Sequence, residues 1–221
     1  MTGRRTFLIA AATGGAVLIG GVTQAYAERW GVEPLTKIAN TQFAWTLLCF
    51  VVAWASAQGR LTTGMATGGL TGLGLIASYY CLQWVADGWD AAESQFTHSS
   101  GPAWVIASVG CGAVIGCLGA LASAPVSEHP TRKVLGLSTM GLVLALGPFL
   151  WSVLDDGSLL EASNWVAPAF YAGVGLLLGA LALQRCGVPA FLRGLGLATV
   201  GAAAAFGCLL VLQSTVLYAT S

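Results

Sequence analysis

Seven stretches of about 20 mostly apolar residues, none containing Asp, Glu, Lys, Arg or His, divide this chain, and about 20 is the length of helix that crosses a hydrocarbon layer. They are Phe7–Ala27, Ile38–Ala57, Leu61–Ala86, Ala103–Ser123, Val134–Leu154, Trp165–Leu183 and Gly194–Tyr218. The pattern predicts an all-α fold, a polytopic bundle of seven transmembrane helices forming one integral membrane domain over residues 1–221. A charged side chain at the bilayer centre costs roughly 2.5–3.5 kcal/mol on insertion scales, which explains why the stretches are empty of charge.

The polar positions between the stretches carry a direction. With the amino terminus in the cytoplasm, Arg4, Arg5, Arg60, Arg132, Lys133, Arg185 and Arg193 fall inside, and Arg29 and Lys37 fall outside. That is the positive-inside bias, and it places the carboxy terminus outside a plasma membrane. The acids segregate the other way: Glu28, Glu33, Asp87, Asp90, Glu93, Asp155, Asp156 and Glu161 fall outside, and Glu128 alone falls inside. Acids contribute little to orientation, so their placement needs a separate explanation.

The first stretch has two readings. Gly3-Arg4-Arg5-Thr6-Phe7-Leu8 has the form of a twin-arginine export motif and Ala25-Tyr26-Ala27 that of a signal-peptidase site, so cleavage would leave six spans. The apolar run is longer than the 7–15 residues of a usual signal core, which favours a retained helix.

Composition strengthens the membrane reading: 8% of the residues are charged and 56% apolar, against about 25% charged in soluble domains. No basic stripe suits nucleic acid. Glycines recur at intervals of four within the stretches, at Gly64, Gly68 and Gly72, at Gly112 and Gly116, and at Gly175 and Gly179. Small residues so spaced let helix backbones approach closely, either inside one bundle or across a homodimer seam. The stretches hold no Asp, Glu, Lys, Arg or His, which argues against an ion-coupled transporter. Five of the six cysteines lie inside them, where cysteine behaves as a small apolar residue. His98 and His129 fall on opposite sides, so no metal site is expected, and no cofactor motif occurs.

The outer side holds the candidate chemistry. Trp30, Trp45, Trp84, Trp89, Trp104, Trp151 and Trp165 lie near outer ends, and only Trp54 near an inner one, although an interfacial belt occupies both. Tyr80, Gln83, Trp84 and Asp87 share one helical stripe, and Trp151 and Asp155 form a similar pair. One reading is a set of interfacial anchors above solvated turns. The other is a cavity in which an acid held protonated by apolar surroundings delivers a proton and aromatic faces stabilise the cation. The candidate acids are Asp87, then Asp155 or Asp156, then Glu28; Tyr80, Trp84 and Trp151 would stabilise charge, Gln83 would orient the acid, and Asn40 would hydrogen-bond between helices.

Asn40-Thr41 followed by Trp45 and Phe50, the glycine-rich third stretch ending in Tyr79-Tyr80, and Gly101-Pro102 together resemble a family of small uncharacterised actinobacterial multi-span membrane proteins, over about the first 125 residues. The resemblance implies no activity. Some relatives have an acid shortly before the paired tyrosines, where this chain has Leu75 and its neighbours. Length and number of spans are also similar to those of small integral-membrane terpene cyclases, which implies a lipophilic isoprenoid substrate cyclised by protonation. The alternative function is a non-catalytic scaffold, partner subunit or carrier of a neutral solute.

Overall fold

The computed structural model describes residues 14, 15, 17, 42–88, 93, 101–127, 129–155, 166–200 and 203. The predicted spans Phe7–Ala27 and, beyond residue 200, Gly194–Tyr218 fall largely outside these. Among the described residues the fold is all-α: α1 is Gln42–Ala57, α2 Leu61–Asp87, α3 Gly101–Ala122, α4 Pro130–Asp155 and α5 Val166–Cys186. A shorter apolar helix, α6, runs Val188–Val200. Segments Trp104–Ala122 and Val166–Cys186 are long and apolar enough to cross a membrane, judged by length and composition.

Helix ends follow local chemistry more than hydropathy. Pro130 opens α4, a position where proline's missing N–H costs nothing, so Arg132 and Lys133 ride on the first helical turn ahead of the apolar run at Val134. Gly187, at φ 78°, separates α5 from α6 with a single left-handed residue, and α6 starts at Val188 with Pro189 in its first turn, six residues before Gly194. The α1–α2 turn uses two residues in the left-handed region, Gln58 and Gly59. The Gly59 N–H donates to Ser123 Oγ (2.7 Å), tying this turn to the end of α3.

α2 packs most extensively on α3, α4 on α5, and α1 lies against both α2 and α3, while α3 also meets α4. The α2–α3 seam is backbone against backbone. A Cβ on Gly64 would strike the Gly116 carbonyl, one on Gly68 the Gly112 carbonyl, and one on Gly72 the Ser108 carbonyl. Each step of four along α2 is a step of four back along α3, so the helices are antiparallel and the spaced glycines interlock within the chain. A second close approach joins Gly141 on α4 to Gly175 on α5.

The side chains left over are distributed by size. Larger groups fill the interior between α1, α4 and α5, with Phe50, Leu137, Met140, Leu144 and Tyr171 essentially fully buried. Outward, Leu70, Val85, Ile106, Leu176 and Val200 are 61–78% exposed. α2 and α3 are therefore apolar on their outer as well as their inner faces.

Candidate functional site

Connectivity gathers the start of α1, the end of α2, the start of α3, the end of α4 and the start of α5 at one end of the bundle. The carboxyl-bearing residues Asp87 and Asp155, the last residues of α2 and α4, belong to this end. Glu93 follows α2. Arg60, Arg132, Lys133, Arg185 and Arg193 belong to the other.

The acidic end is built around Tyr79. Its ring meets Trp45, from the first turn of α1, at a centroid distance of 6.4 Å and 67°, and meets Tyr80 at 5.5 Å and 70°. Both are edge-to-face arrangements, the geometry that ring quadrupoles favour. One turn further along α2, Gln83 Nε2 donates to the Tyr79 hydroxyl (2.7 Å). The other end of that amide, Gln83 Oε1, is buried and accepts no hydrogen bond. A buried acceptor left unmade costs on the order of 1–3 kcal/mol, so this oxygen is a place where a donor is gained at a profit in stability. Asp87 stands one helical turn beyond it on the same stripe.

A second ring cluster fills the neighbouring interior. Phe43 and Tyr171 approach to 6.0 Å, and Tyr171 meets Phe170 edge-on at 5.2 Å. Gly147 makes room for Phe43, since a Cβ there would lie 2.6 Å from the ring. α1 thus sends rings in two directions from its first turn, Phe43 toward α4 and α5 and Trp45 toward α2.

Of the residues expected to form a site, Tyr80 and Gln83 come together on α2, with Trp45 from α1 beside them. Trp84 is 47% exposed and points outward. Asp87 and Asp155 share an end of the bundle, yet α2 and α4 have no extensive contact, α1 and α3 standing between them. Trp151 lies in the last turns of α4, and its side chain, like those of Asp87 and Asp155, is outside the described residues; Asp156, Glu28 and Asn40 are outside them altogether. Sequence reasoning passed over Tyr79 as the partner of Gln83, although their spacing of four was a legible signal. The role of Trp45 beside Tyr79 depends on how α1 and α2 are aligned, for which the sequence holds no local sign.

Among the described residues no three His, Cys, Asp or Glu side chains gather in a way that would hold a metal ion. Compared with known proteins, residues 2–215 match one family, described as a family of unknown function (DUF6518). No curated protein and no solved structure matches the chain.

Proposed function

Because this chain belongs to the DUF6518 family, from which no activity carries over, we propose its function from its own residues: a seven-span plasma-membrane protein, amino terminus inside, whose outer end binds a lipophilic small molecule. The membrane reading is supported by two apolar helices of spanning length, large side chains turned outward, and charges divided between the two ends. The observation that carries the site is the unpartnered buried Oε1 of Gln83, whose amide is bonded to Tyr79, itself in contact with Trp45 and Tyr80, one turn from Asp87.

The reaction that suits this group is acid-initiated cyclisation of an isoprenoid. Asp87 in its protonated form donates its proton to a terminal double bond or epoxide. A neighbouring double bond attacks the carbocation, closing a carbon–carbon bond, and loss of a proton from the final cation to the carboxylate restores the acid. The product is an isomer of the substrate, so no oxidant or reductant is consumed. Aromatic faces near the path contribute roughly 0.5–2 kcal/mol each to the cation. Asp155, Asp156 and Glu28 are the further candidate acids. The test is incubation of membranes containing the protein with linear prenyl alcohols, diphosphates and epoxides, with analysis of extracted products. Cyclic isomers that disappear in Asp87→Asn support the reading; cyclisation intact in both Asp87→Asn and Asp155→Asn overturns the assignment of the acid.

A second reading has its own observation. Trp84 and Val85, 47% and 78% exposed at the end of α2, present an outward surface. They suit an interfacial anchor or a contact with another subunit, a homodimer partner included, in a protein that performs no chemistry. Asp90 and Glu93 would then mark a partner surface. Charge reversal at these two positions would change which proteins co-purify.

A further inference from the structure

The basic end is more than a scatter of cations on separate turns. The α1–α2 turn lies on the α3–α4 turn: a Cβ on Gly59 would sit 3.5 Å from the Ala124 Cα, and Gly59 is bonded to Ser123. Lys133 reaches back to donate to the Ala124 carbonyl (3.2 Å). Gly194 on α6 packs against the Val134 side chain on α4. These contacts, with the packing of α4 on α5, bring Arg60, Lys133, Arg185 and Arg193 to one end of the bundle, with Arg132 beside Lys133. All four arginines are exposed. Between α3 and α4 the sequence supplies this end with one acid, Glu128, against five cations.

The helix ends add no net charge: α2, α4 and α6 begin here while α1, α3 and α5 end here, so their dipoles oppose one another and the positive character of this end comes from its side chains.

Apolar side chains alternate with these cations. Leu61 beside Arg60, Val188 at the start of α6, and Leu192 beside Arg193 are 45%, 58% and 63% exposed. A free anion gains nothing from such neighbours, whereas a phospholipid brings a phosphate and acyl chains to the same place. We propose that this end is a binding surface for the headgroup of an anionic phospholipid, its phosphodiester among the guanidinium groups and its chains along Leu61, Val188 and Leu192. The proposal rests on the membrane reading above.

Fractionation of cells comes first and tests that reading by itself: a chain recovered in the soluble fraction without detergent ends it. For protein extracted into neutral detergent, where orientation no longer matters, thermal unfolding is followed while phosphatidylglycerol, phosphatidylcholine or inorganic phosphate is added. Phosphatidylglycerol raises the melting temperature saturably, and the other two do not. Neutralising a cation at a membrane surface weakens attraction about fivefold, so the doubles Arg60→Gln/Arg132→Gln and Arg185→Gln/Arg193→Gln each bind about 25-fold more weakly, and the matching Arg→Lys doubles retain binding. An equal response to phosphatidylcholine, a full response to phosphate alone, or a loss under fivefold in both Gln doubles overturns the proposal. A Gln double that does not fold is replaced by its two single variants, judged on the same fivefold scale.

Discussion

The α2–α3 seam and the ring cluster between α1, α4 and α5 bring helices together by opposite means. In the seam the contact surface is main chain, because Gly64, Gly68, Gly72, Gly112 and Gly116 remove every side chain that would hold the axes apart. In the cluster Phe43 and Tyr171 fill the space, with Phe170 edge-on to Tyr171 and partly exposed, and a glycine, Gly147, makes room for a ring. The seam is intolerant of added volume, the cluster of volume lost. Both devices work through close packing, which gains dispersion contacts whatever surrounds the helices.

Substitutions at four positions break or sharpen this contrast. Gly68→Val, which drives a branched side chain into the Gly112 carbonyl, has the largest effect and abolishes the monodisperse folded protein in size-exclusion chromatography after detergent extraction. Tyr171→Ala, at a position 1% exposed, lowers stability by about 3–5 kcal/mol in mixed-micelle unfolding followed by circular dichroism, while Tyr171→Phe keeps the ring and most of that stability. Thr139→Val acts in the other direction. The Thr139 hydroxyl is buried without a partner, so replacing it by a methyl of the same shape raises stability by about 1 kcal/mol in the same measurement. Gly173→Ala is the smallest: a Cβ there meets nothing within 4 Å, and the melting temperature stays or rises slightly.

How much of this was written locally in the sequence differs between the two regions as well. The spacing of Gly64, Gly68 and Gly72 announced a close approach, but not whether it would be met by this chain or a second copy; the facing Gly112 and Gly116 supply the answer only once α2 and α3 are aligned. The meeting of Phe43 with Tyr171 had no sequence signal, since the two are on α1 and α5 and neither stands in a motif. At the candidate site, the stripe of Tyr80, Gln83 and Trp84 was legible from helical spacing, yet its members part company: Gln83 turns inward to Tyr79 while Trp84 is half exposed. At the basic end α4 and α6 start ahead of the apolar stretches Val134–Leu154 and Gly194–Tyr218. Arg132, Lys133 and Arg193 lie within helices because Pro130 and Gly187 set the starts, and charge has no say in that.

The interlocked glycines have one more consequence. Their contacts repeat every four residues, so sliding α2 along α3 by one step, roughly 6 Å of rise, would again set Gly68 opposite Gly116 and Gly72 opposite Gly112. The seam by itself is a ratchet with more than one tooth. The bond from the Gly59 N–H to Ser123 Oγ forms only on the observed tooth, and that from Ser56 Oγ to Thr67 Oγ1 ties the same end of α2 to α1.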